Sequence, residues 1–103
     1  MADLLNAPQF VKGAVVYVST SFTNSAGVLV DPTGVVFKWK IKNGSATTLT
    51  YGTDAALVKD TTGVYHVTFT PSTEGIYYIQ WTTTGTALVS AWEGTVVITA
   101  SNF

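Results

Sequence analysis

The sequence has no cysteine and no arginine, and it carries a single histidine. Without cysteine there are no disulfide staples, no thiolate nucleophile and no cysteine-held zinc. Without arginine there is no planar fork for bidentate contact with phosphate or guanine. Five lysines against six carboxylates also leave no basic footprint for a nucleic-acid backbone. Charged residues make up 11% of the chain, less than half the roughly 25% of an ordinary soluble domain. No apolar run approaches the length of a membrane span, and Met1 to Pro8 lack the charged start and long apolar core of a secretory signal. Metal and cofactor chemistry have no visible ligand set, so no cofactor is expected, and partners of nucleic acid or membrane type are not expected either.

Threonine and apolar residues fill the space that charge leaves. Apolar residues reach 47% and aromatics 13%, and β-branched side chains with a hydroxyl suit the wet face of a strand better than a helix. A chain of 103 residues makes one domain, able to bury roughly two-thirds of its unfolded surface. The pattern predicts an all-β domain. Val16, Val18, Thr20 and Phe22 alternate with polar neighbours. After the turn Asp31-Pro32-Thr33-Gly34, Val35, Phe37, Trp39 and Ile41 face one way while Val36, Lys38, Lys40 and Lys42 face the other. Asn43-Gly44 is the dipeptide of a type I′ hairpin and returns the chain through Thr47, Leu49 and Tyr51. A short strand at Leu57-Val58 precedes one carrying Tyr65, Val67 and Phe69. Pro71 to Gly75 turns the chain into a strand lined by Tyr77, Ile79 and Trp81. A last strand runs from Ala87 to Thr99, with an irregularity expected at Glu93-Gly94.

The count is about seven antiparallel strands. The segment Asp60-Thr61-Thr62-Gly63-Val64-Tyr65 resembles the tyrosine corner of an immunoglobulin-like sandwich, with Asp60, Gly63 and Tyr65 as the corner and Val67 where an antibody domain would place its second cysteine. The expected layout is an N-terminal arm over 1–12, an immunoglobulin-like β-sandwich over 13–99 and a C-terminal tail over 100–103. Gly13-x-x-Val16-x-Val18, Phe22, Gly27, Asp31-Pro32, Tyr51, Asp60, Gly63-x-Tyr65, Gly75-x-Tyr77 and Trp81 occur in that order. Together they resemble the small immunoglobulin-like or fibronectin-like structural proteins of tailed bacteriophages. The resemblance implies a non-enzymatic virion protein, made in the host cytoplasm, that decorates or cements the capsid by binding the major capsid protein or another virion protein. Homo-oligomers on the particle are allowed. The alternatives are a place on the tail and an adhesive, carbohydrate-binding module.

Candidate site residues are few. His66 alternates with Tyr65 and Val67 and is expected on the outer face, where a lone imidazole can neither complete a triad nor hold a metal. Asp31, Asp54, Asp60, Glu74 and Glu93 are expected mostly in turns, where aspartates bond their own backbone rather than hold calcium. Lys38, Lys40 and Lys42 form the one charge cluster, either a grip for an acidic partner or a guard against sheet-to-sheet sticking. Leu4, Leu5, Pro8 and Phe10 near the start and Phe103 at the end put apolar bulk outside the strand pattern. They join the three lysines as the candidate partner interface. Trp92 is expected against the opposite sheet, or else facing out with Tyr17 or Tyr78 as a stacking shelf.

Overall fold

The computed structural model describes residues 8–85 and 91–100. Eight strands follow one another without a helix among the described residues: β1 Gln9–Val11, β2 Val16–Ser21, β3 Gly34–Ile41, β4 Thr47–Thr50, β5 Leu57–Thr61, β6 Val64–Phe69, β7 Gly75–Thr84 and β8 Ala91–Thr99. They form a five-stranded sheet in the order β1-β8-β7-β3-β4 and a three-stranded sheet in the order β2-β6-β5. All pairings are antiparallel except β1 with β8, which is parallel.

Alternation decides which side chains meet. Val16, Leu57, Tyr65, Val67 and Phe69 from the smaller sheet, with Phe22 just beyond β2, face Val35, Phe37, Tyr77, Ile79, Trp81, Val96 and Ile98 from the larger one. The two layers interlock through rings. Phe69 lies against Phe37 and stacks on Trp39 at 4.7 Å, while Phe22 meets Trp81 edge-on at 6.5 Å. Offset and edge contacts of this kind add about 0.5–1.5 kcal/mol per pair to the area they bury.

Several expectations are corrected here. Residues 1–12 were expected as an arm outside the sandwich, but the chain has joined the sheet by Pro8: Val97 N donates to its carbonyl at 2.9 Å, and Lys12 N donates to Thr99 O at 2.8 Å. Phe10 pairs with Ile98 and packs against the core, so it is a core side chain and not a free anchor. The strand is only three residues long, too short to show an alternation. The Asn43-Gly44 turn is not a two-residue type I′ hairpin. Lys42 still bonds to Ile76 O, Gly44 N donates to Ile41 O at 2.8 Å, and Asn43 is the left-handed residue of the turn. The connection spans 42–46, because β3 stays paired to β7 beyond its last bond to β4.

The tyrosine corner is also built differently. Its acid is Asp31, in the β2–β3 connection, and not Asp60. One Asp31 oxygen accepts the Gly63 N–H at 2.8 Å and the Tyr65 hydroxyl at 3.3 Å, and the other accepts Lys59 Nζ at 2.7 Å. Asp60 sits where the β5–β6 register shifts between Lys59 and Thr61, and this extra residue turns its carboxylate to His66. Gly63 has φ 74 and is packed so closely that a Cβ would stand 2.9 Å from both Phe22 O and Val30 N. No side chain fits there without moving backbone.

The lysine and the Gly63 N–H hold the Asp31 carboxyl below its ordinary value of 3.8. Burial, reinforced by the Asp31 charge, pushes the Tyr65 hydroxyl up to about 12 from 10.0. The stabilisation through Asp31 is therefore present above pH 3.8 and is lost as pH falls through the lower folded value. That through Tyr65 is present below pH 10.0 and is lost as pH rises towards 12. Tyr65→Phe is predicted to flatten the alkaline limb of a stability-versus-pH curve measured by urea unfolding. Asp31→Asn flattens the acid limb and lowers stability at neutral pH. Gly63→Ala is predicted to cost about 2 kcal/mol or more in the same assay, from its left-handed backbone and the lack of room together.

Candidate functional site

The outward faces of the two sheets differ in chemistry. On the larger sheet, register sets polar and aromatic side chains in rows across β3, β7 and β8. Lys40 lies beside Tyr78, which lies beside Thr95. Lys38 lies beside Gln80, which lies beside Glu93. Gln80 Nε2 donates to Glu93 Oε2 at 2.8 Å, with Glu93 inside β8 as the strand pattern predicted. The Tyr78 ring is 39% exposed. With Ala46 from the β3–β4 connection as a wall, Lys38, Lys40, Tyr78, Gln80 and Glu93 line a groove of about 280 Å³.

Lys38, Lys40 and Lys42 emerge on this same face. Among the described residues none of them has a carboxylate within ion-pairing distance, whereas Lys59 is held by Asp31. The groove itself contains two free ammonium groups and one carboxylate. It favours a single negative charge.

The outward face of the smaller sheet is more apolar, with the Asp60 carboxylate bonded to His66. Tyr17, 56% exposed, stacks on His66 with ring centres 4.6 Å apart and planes 21° from parallel. His66 Nδ1 lies 2.7 Å from Asp60 Oδ1, which fixes the ring against the sheet. Val58 is the β5 neighbour of His66 and is 38% exposed, and Val15, just ahead of β2, is 62% exposed. The histidine is bonded to one carboxylate and covered by one ring, and among the described residues no hydroxyl nucleophile is bonded to it.

The other expected residues are placed as follows. Leu4, Leu5 and Phe103 lie outside the described residues. Pro8 is exposed at the start of β1, with its carbonyl in the sheet. Asp54 accepts Thr50 N at 2.8 Å, a turn role of the kind expected for it. Trp92 is 40% exposed, and its indole N–H donates to Thr20 Oγ1 at 3.2 Å, reaching from one sheet to the other. Gly94 makes this possible: a Cβ there would come within 2.7 Å of the Trp92 ring. The β7–β8 register runs unbroken past this glycine, so the expected irregularity is absent. The glycine provides space for an aromatic side chain two residues away.

Sequence reasoning named Lys38, Lys40 and, separately, Glu93, but it missed Gln80 and did not bring Glu93 beside the lysines. The signal for them lay in register, since the three strands carry these residues far apart in sequence. Gly94→Val is predicted to displace the Trp92 ring, shift tryptophan emission to longer wavelength and cost about 1–3 kcal/mol by overpacking. Trp92→Phe, which removes chiefly one exposed hydrogen bond, is predicted to cost about 0.5–1 kcal/mol.

No protein-family model matches this chain, and no curated protein matches it.

Proposed function

We propose that this chain is a non-enzymatic, immunoglobulin-like accessory domain of a bacteriophage virion that binds the major capsid protein and decorates the outside of the head. The observation that carries the reading is the outward face of the smaller sheet. There Tyr17, His66 and Val58 present an aromatic and apolar surface on which the one nearby carboxylate, Asp60, is already paired. A patch of this kind docks by area and shape, and an array of many copies adds avidity.

Three further observations support it. The order β2-β6-β5 facing β1-β8-β7-β3-β4 is of the type shared by immunoglobulin-like sandwiches. The residues of the phage-like pattern occupy turns and core: Gly63 and Tyr65 form the corner with Asp31, and Phe22, Tyr77 and Trp81 are buried. The groups most able to do chemistry are engaged in structural bonds, Asp31 with Lys59, Asp60 with His66 and Glu93 with Gln80.

Heads assembled from the major capsid protein encoded beside this chain and sedimented with it are predicted to carry it in a fixed ratio to shell subunits. Because the docking face holds one carboxylate, Asp60, already bonded to His66, the bound fraction should change less than about threefold between about 0.05 and 0.5 M salt. Tyr17→Glu should release the domain, while Lys42→Glu should leave it bound. A domain that stays in the supernatant, or one released by salt and by Lys42→Glu, overturns the reading.

A further inference from the structure

The groove on the larger sheet remains open when the opposite face is docked, and its chemistry is specific enough to name a ligand class. Lys38 and Lys40 stand along one side as ammonium groups without a carboxylate partner among the described residues. Tyr78 offers a partly exposed ring beside Lys40, and the bonded pair Gln80–Glu93 closes the far side. These groups come from three adjacent strands and are therefore held by the rigid part of the fold, not by a loop.

We propose that this groove binds a sugar residue bearing one carboxylate, of the sialic-acid or uronic-acid class, at the surface of a glycan. Two ammonium groups against one carboxylate leave an excess of one positive charge, which matches one anion. Lysine ammoniums act as point charges and take a carboxylate without needing a fixed plane. The ring of Tyr78 suits the apolar face of a pyranose, which buries C–H groups on an aromatic surface. Glu93 and the carbonyl oxygen of Gln80 accept hydrogen bonds, and sugar hydroxyls are donors. A volume of about 280 Å³ is just below the lower end of ordinary ligand pockets, roughly 300–1,000 Å³, and suits a single ring over a long oligosaccharide.

Glu93 also selects between classes of anion. A strongly acidic peptide would bring further carboxylates against it and gain nothing from it, whereas a hydroxyl-rich monoanion uses it as an acceptor. A neutral sugar would satisfy Glu93 and Tyr78 but leave both lysines unused. Single-site binding is expected in the millimolar range, about 4 kcal/mol, and display in many copies raises the avidity. Such a site would let an array hold loosely to an acidic glycan coat while the opposite face stays attached to its carrier.

The test uses the free domain, so it does not depend on the capsid reading. Amide NMR shifts of the full chain are followed during titration with the methyl glycosides of N-acetylneuraminic acid and galacturonic acid, with methyl galactoside as the neutral arm and a hexaglutamate peptide as the acidic-peptide arm. The result expected is saturable shifts confined to residues 38–40, 78–80 and 93, at least about tenfold weaker with the neutral sugar. Added salt should weaken the binding, which is carried partly by exposed charge. Lys40→Gln should weaken the acidic sugars at least about tenfold without affecting the neutral one, and Tyr78→Thr should weaken both kinds of sugar; unchanged shifts elsewhere confirm that each variant is folded. Equal binding of neutral and acidic sugars, tighter binding of hexaglutamate, shifts away from the groove, or no saturation with either acidic sugar would each overturn the proposal.

Discussion

One carboxylate joins two parts of the chain that are distant in sequence, the β2–β3 connection and the β5–β6 hairpin. Asp31 leaves the first long strand's connection and binds the Gly63 amide in the β5–β6 turn, the Tyr65 hydroxyl in β6 and the Lys59 ammonium in β5. With those bonds made, the turn at Gly63 closes tightly enough for Phe22 N to donate to Gly63 O at 2.7 Å, and Tyr65 is drawn into the core against Phe22 and Tyr51. The smaller sheet is thereby fixed in position over the larger. A protein without disulfides, and with few charges to spare, has concentrated its polar specificity at this point. The apolar layers supply the bulk of the burial, and the corner determines which arrangement of them is reached.

The low charge of the chain has its consequence at the surface. Several of its ionised groups are engaged: Asp31 with Lys59, Asp60 with His66, and Glu93 through Gln80. What is left free on the described strands is concentrated on the outward face of the larger sheet, as Lys38, Lys40 and the neighbouring Lys42. The smaller sheet presents Tyr17 over His66, with Asp60 bonded to that histidine. A sandwich with one partly apolar face and one face that favours an anion has two dissimilar surfaces pointing in opposite directions. Such an arrangement suits a domain held by one side and presented by the other.

Much of the fold was legible in the sequence because alternation reports directly on burial. The β3 pattern separates the buried Val35 and Phe37 from Lys38 and Lys40 on the opposite face. Tyr77, Ile79 and Trp81 were legible in the same way. Features that depend on distant pairing were not. Asp60 is close to Tyr65 in sequence and was the natural acid for the corner, yet the bulge carries it to His66 and leaves the place to Asp31, some thirty positions earlier. The first strand was hidden by its shortness, since three residues show no period, and only its parallel pairing with β8 defines it. Gly94 looked like an interruption because a glycine in a strand has no side chain, but its function is to leave room for the Trp92 ring. The groove needed the register of three strands before Gln80 and Glu93 could be placed beside the lysines.

The measurement that bears most directly on the two-faced account is hydroxyl-radical footprinting of the domain, free and in the proposed complex with assembled heads, with the exposed tyrosines Tyr17 and Tyr78 as reporters. The account predicts that Tyr17 is shielded on binding while Tyr78 is oxidised as readily as in the free domain. Shielding of Tyr78, or equal oxidation of both tyrosines in the bound and free states, would contradict it.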